Sequence, residues 1–148
     1  MKREANITIN PESKRGLNDY AKRCGLSLVV LFGSRALVEL ATEKSDYDVA
    51  VLFDRSHSFP QTLSENIDLQ ETIARALNIP LEKLDLTNFG TNNIFLRYEI
   101  ARAGRLLYGD PMVYEEYKSF AKRDHQDARP LFNLERVLAR RRLEFLRP

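Results

Sequence analysis

Asp46 and Asp48 stand two residues apart at the head of the run Asp46-Tyr-Asp-Val-Ala-Val-Leu-Phe53, and Gly33-Ser34-Arg35 follows the apolar run Leu28 to Phe32. Carboxylates at alternate positions of a strand share one face at roughly 6 to 7 Å along the chain, close enough to share hard divalent cations held by oxygen. Tyr47 and Val49 then point the other way, into a core. A Gly-Ser pair at the end of a buried strand lets the backbone approach a ligand and opens a helix whose free N–H groups attract phosphate. Arg35 either reaches phosphate as a positive clamp or lies on the outside of that short helix. In Leu81 to Asn88, Leu84 and Leu86 fall on one face and Asp85 on the other. If this strand lies beside the one led by Asp46 and Asp48, a cross-strand neighbour is about 5 Å away and three carboxylates come together. Such a group repels itself unless cations neutralise it. Taken singly, each feature has a plain reading: a turn, a solvated strand end, an exposed acid on an edge. Together, in this order, they point to a phosphate and metal site.

These residues need two or three short strands to hold them, and the flanking pattern supplies helices for the faces. Asn10-Pro11-Glu12 is a helix start, with Leu17, Tyr20 and Ala21 as its stripe and Gly25 as its stop. Asp54 to Pro60 is a polar loop. From Thr62 a helix is expected, with Leu63, Ile67, Leu69, Ile73, Ala74 and Leu77 spaced for burial and Asn78 and Pro80 ending it. Asn92 to Ala103 predicts a further helix closed by Gly104, and Arg105 to Tyr108 a short strand or extended link. Asp110-Pro111 caps a helix through Val113, Tyr114, Tyr117, Phe120 and Ala121; Asp124 to Pro130 is a polar break; Leu131 to Leu146 is a last helix. The pattern predicts an α/β (α+β) chain, a small mixed sheet flanked by helices with a helical C-terminus. One domain spans residues 1–148, with a core at about 26–108 and C-terminal helices at 111–146.

Composition excludes several classes. With 23 Lys plus Arg against 21 acidic residues, the net charge of +2 does not argue for obligatory nucleic acid. The longest apolar run, Leu28 to Phe32, is far short of a membrane span, and Met1 to Asn6 has no signal-like segment, so a cytoplasmic protein is expected. Cys24 is the one cysteine, excluding an internal disulfide or thiolate cluster, and reads as a small core residue at a helix end. His57 and His125 lack partners at metal-ligand spacing and read as solvated. The six Tyr sit mostly at helical core spacing. Arg136, Arg140 to Arg142 and Arg147 read as a solvated helix face, while Leu131, Leu134, Leu138 and Phe145 form a stripe that packs on the domain or on a partner.

Gly33-Ser34, a connection, then Asp46-x-Asp48 resembles the signature of the nucleotidyltransferase superfamily related to DNA polymerase β. With Arg35-Ala36 and Ser45 it is most similar to the minimal nucleotidyltransferase (MNT) group. Eleven residues separate Ser34 from Asp46, one more than is usual, and one extra loop residue costs little. Arg97-x-Glu-Ile-x-x-x-Gly-x-x-Leu-Tyr108 also resembles the MNT domain after its third acid, so the likeness runs over roughly 28–108. It implies the nucleotidyltransferase fold and transfer of AMP from ATP, with Asp46 and Asp48 bridging two Mg²⁺ ions and Asp85 completing the coordination of the second ion. Gly33, Ser34 and Arg35 would bind the nucleotide. Only forty residues follow Tyr108, too few for the helical substrate domain of antibiotic-modifying members. The resemblance therefore implies an antitoxin that adds AMP to a tyrosine of a HEPN-type ribonuclease toxin, in a hetero-oligomer with it. The alternatives are an antitoxin acting by contact alone and a transferase for RNA or a small molecule.

Overall fold

The computed structural model describes residues 9–33, 36, 46–90 and 93–147. Ser34, Arg35, Ser45 and Asn92 lie outside them. The order is α1 (Pro11–Cys24), β1 (Leu26–Phe32), β2 (Tyr47–Phe53), α2 (Leu63–Leu77), a 3₁₀ turn at Leu81–Lys83, β3 (Leu84–Asn88), α3 (Ile94–Ala103), β4 (Arg105–Tyr108) and α4 (Pro111–Phe145). The strands form one sheet in the order β3-β2-β1-β4. β1 is antiparallel to β2 and β4, while β2 and β3 are parallel. A parallel neighbour needs a crossover, and α2 makes it.

Alternation along β1 divides the core. Val29 and Leu31 pack with Leu17, Val49, Leu69 and Ile73 under α1 and α2. Leu28 and Val30 pack with Ala50, Phe89, Ile100 and Tyr114 under α3 and α4. A strand covered on both faces reads as a near-continuous apolar run, as Leu28 to Phe32 does. Burying side chains such as Leu28 and Leu31 completely contributes about 1.5–3 kcal/mol each.

The helix ends follow local chemistry. Asn10, Thr62, Asn93 and Asp110 each accept a backbone N–H from the first turn of their helix. α3 thus begins one residue after Asn93, later than the Asn92 expected from the sequence. α1 stops at Gly25 with φ 73° and α2 at Asn78 with φ 54°, both left-handed. Cys24 ends α1 half-buried against the core, as expected.

Three expectations change. On α2, Leu63 and Ile67 are 78% and 43% exposed. The buried residues of α2 are Leu69, Ile73, Ala74, Ala76 and Leu77, so burial begins only at the seventh residue and the opening turns, with Leu63 and Ile67, stay uncovered. The expected break from Asp124 to Pro130 is continuous helix, so α4 is one element of 35 residues with Pro130 inside it. An interior proline costs about 3 kcal/mol through a lost bond and a clash. Contacts on both sides hold the helix through it: Asp124 pairs with Arg97 at 2.5 Å, and Phe132 lies over Phe95 with ring centroids 4.2 Å apart. His125 is not solvated but half-buried, stacked on Tyr98 at 3.9 Å between centroids. His57 remains exposed, with Nδ1 2.7 Å from Asp54 Oδ1.

Candidate active site

The strand register carries the acids. Asp48 faces Phe32 of β1 on one side and Asp85 of β3 on the other, so Asp48 and Asp85 are direct cross-strand neighbours. Directly opposed side chains share a face and stand about 5 Å apart at Cβ. The register is fixed by burial: Val49 and Val51 are wholly buried, and a slip of one residue would drive them to the wrong face. Asp46 lies one residue ahead of β2 and is exposed, so it belongs to the loop entering the strand. Tyr47 and Val49 pack into the core beneath α1 and α2, opposite Asp48.

The electrostatics register the grouping. Burial lifts the Asp48 carboxyl above the ordinary aspartate range, and the charges of Asp85 and then Asp46 lift it further. Asp48 therefore feels both other acids. Gly33 closes the site from the end of β1. Its φ is +70°, a region that L side chains rarely adopt, and a Cβ built there would run into the Asp48 carboxylate. Glycine is thus required twice over, by conformation and by the closeness of Asp48. The Ala36 N–H donates to the Gly33 carbonyl at 3.2 Å. Ser34 and Arg35, expected as nucleotide ligands, fall outside the described residues.

The donor set suits a hard divalent cation. Three carboxylates grouped on two neighbouring strand starts offer oxygen alone, the ligand type that Mg²⁺ takes. Among the described residues, no three potential ligands converge on one point as they stand. Mg²⁺ is commonly bound through one or two carboxylates together with substrate phosphates, and the cross-strand pair Asp48 and Asp85 offers two.

Arg97 is a residue whose part sequence reasoning did not foresee. It joins α3 to α4 through Asp124, lies 5.5 Å from the centre of the Phe120 ring, and has a buried Nε without a hydrogen-bond partner. The signal was a lone cation among the core positions of a predicted helix, with its acid 27 residues away. Tyr117 assists, its hydroxyl donating to the Phe89 carbonyl at 3.4 Å. Burial raises the pKa of Tyr114 to about 12 and that of Tyr117 well beyond the usual range, so neither is a base near neutrality.

Comparison with known proteins follows the same lines. The family model described as polymerase beta, nucleotidyltransferase matches residues 16–111. Among solved structures, the chain is similar to one in a toxin–antitoxin crystal structure with AMP-PNP, at 20% identity and TM-score 0.58, covering 84% of this chain and 98% of that one. It is also similar to a chain of the MntA–HepT toxin–antitoxin, at 19% identity and TM-score 0.53, covering 87% and 99%. A third is in the rebuilt structure of the tri-AMPylated Shewanella oneidensis HEPN toxin in complex with MNT antitoxin, at 20% identity and TM-score 0.50, covering 85% and 98%. At these identities the likeness carries the fold. Comparison with curated proteins found no match.

Proposed function

The chain belongs to the polymerase β nucleotidyltransferase family, and from that premise we propose that it is an antitoxin that transfers AMP from ATP to a tyrosine hydroxyl of a HEPN-type ribonuclease toxin. The observation that carries the reading is the direct pairing of Asp48 with Asp85, closed by Gly33. A contact-only antitoxin has no use for acids held against their own repulsion. The similar structures support the partner, since they include toxin–antitoxin complexes, one with AMP-PNP and one with an AMPylated HEPN toxin. No described helix is long and apolar enough to cross a membrane, and we place the reaction in the cytoplasm with its partner.

Asp46, Asp48 and Asp85 would hold two Mg²⁺ ions, which when bound neutralise the triphosphate and favour ionisation of the acceptor hydroxyl. In the reaction the tyrosine oxygen forms a bond to the α-phosphorus, the bond to the β-phosphate bridging oxygen breaks, and pyrophosphate leaves. Asp85, exposed beside Asp48, takes the hydroxyl proton. The backbone at Gly33 and Ser34 holds the β- and γ-phosphates, since a glycine at φ +70° allows the chain to come close to an anion. Arg35 adds a cation to that end of the nucleotide.

The test uses ATP labelled at the α-phosphate, Mg²⁺, and the HEPN-type product of the neighbouring gene. Label is expected on a toxin tyrosine and is lost with Asp46→Asn and Asp48→Asn together. Undiminished transfer by that double variant would sink the assignment. Label on RNA would move it to the nucleic-acid class, and toxin neutralised without label would leave contact alone.

A further inference from the structure

α4 outruns the domain it packs on. Its last ring contact is Phe132 over Phe95, and every residue from Asn133 to Phe145 is exposed. At 1.5 Å per residue this arm reaches about 20 Å beyond its support. Isolated helices shorter than about 12–15 residues are marginal in water, so an arm of this length gains from a second surface. It carries the means to meet one. Leu134, Leu138 and Phe145, 54%, 49% and 94% exposed, continue from Leu131 at spacings of three, four and seven, which is one side of a helix.

The charges select the occupant. From Leu131 to Arg147 there are five Arg and two Glu, Glu135 and Glu144. A second copy would bring the same positive excess against it. Lipid is disfavoured for a different reason. Arg141 sits within the stripe, one turn before Phe145, and Arg142 and Glu135 border it; sinking these into an acyl layer would bury charge without partners. A protein groove instead offers a carboxylate, which the flat guanidinium of Arg141 engages with two hydrogen bonds.

We propose that the arm Asn133–Phe145 is a docking helix that lies in an apolar groove, edged with carboxylates, on a second protein chain. Resting on the function proposed above, that chain is the one presenting the acceptor hydroxyl. The arm then raises the acceptor's concentration near Asp48 and Asp85 without touching the reacting atoms.

The test measures toxin affinity and labelled AMP transfer with the full chain, using the HEPN-type product of the neighbouring gene as probe. Variants are Leu134→Lys with Leu138→Lys, and Arg141→Glu; all three positions are solvent-exposed, so the fold is retained and is checked by circular dichroism. The Leu pair is expected to weaken binding by about tenfold or more and to raise the toxin KM alike, with kcat unchanged. Arg141→Glu is expected to weaken binding and to flatten its salt dependence. Unchanged affinity in both variants would overturn the arm. So would a micromolar homodimer that the Leu pair abolishes, or binding to phosphatidylcholine–phosphatidylglycerol vesicles that it abolishes. Arm-dependent binding without label would retain the docking helix and remove the transfer reading. Transfer indifferent to the variants would do the reverse, and a wild type that neither binds nor transfers would remove both.

Discussion

Replacing Asp48 with Asn is expected to stabilise the metal-free protein while abolishing transfer. Burial lifts the Asp48 carboxyl, and Asp85 and Asp46 add to it. At a separation of about 5 Å and an effective dielectric constant of 40 to 80, one like-charge pair costs about 1 kcal/mol. Salt screens part of this, because Asp46 and Asp85 face solvent. Asparagine keeps the shape and removes the charge, for a gain of about 1 kcal/mol, or about 2–4 °C in Tm for a chain of this size. The pH dependence has a definite sign. The folded pKa lies above the unfolded one, so the native state binds the proton more tightly. That contribution is fully present below the unfolded pKa, about 4, and is lost as pH rises through the raised folded value. Thermal melts in EDTA should therefore show wild type and Asp48→Asn closest in acid and furthest apart at neutral pH. Adding Mg²⁺ should reverse the order, because an ion that binds only the native wild type stabilises it by mass action. An Asn variant equal to or less stable than wild type at neutral pH in EDTA, or a gap indifferent to pH, would refute the reasoning.

Gly33→Ala forces a side chain into the left-handed region and a methyl onto the Asp48 carboxylate; a loss of about 1–3 kcal/mol in urea unfolding and a fall in kcat are expected. Arg97→Met strands Asp124 between α3 and α4. With the two side chains 17% and 31% exposed, the loss in urea should be about 1–3 kcal/mol, short of that for a fully buried pair. Pro130→Ala restores a missing hydrogen bond in an exposed stretch of α4, so helical circular dichroism should rise and unfolding shift up by about 1–3 kcal/mol.

What the sequence makes legible here is mostly local. Caps at Asn10, Thr62 and Asp110 and stops at Gly25 and Asn78 depend on nearby residues, and they stand where their chemistry puts them. The apolar alternation of β1 to β3 identifies the strands, and the expected closeness of Asp85 to Asp48 appears as a direct register pair. The misread positions depend on distant partners. Polar residues from Asp124 onward signal a break until Arg97, Tyr98 and Phe95 are seen to hold the helix intact. His125 has no sequence neighbour to announce that Tyr98 will stack on it. Leu63 and Ile67 match a helical period but stand in the opening turns of α2, ahead of Leu69 where its burial begins. The stripe on α4 was visible in the sequence, and the structure adds that its own domain leaves it uncovered.

The parallel pairing of β2 and β3 also bears on folding. Asp48 and Asp85 are 37 positions apart and meet only once α2 has carried the chain across. Their repulsion is absent from every state in which β3 is unpaired. Among the described residues β3 is an edge strand of five residues, bonded to β2 alone, so its release is the opening that relieves the charge most directly. Local unfolding at this edge is thus coupled to neutralisation of the acids, and amide exchange at Phe89, whose N–H donates to the Val51 carbonyl of β2 at 2.9 Å, becomes a gauge of whether the site is filled.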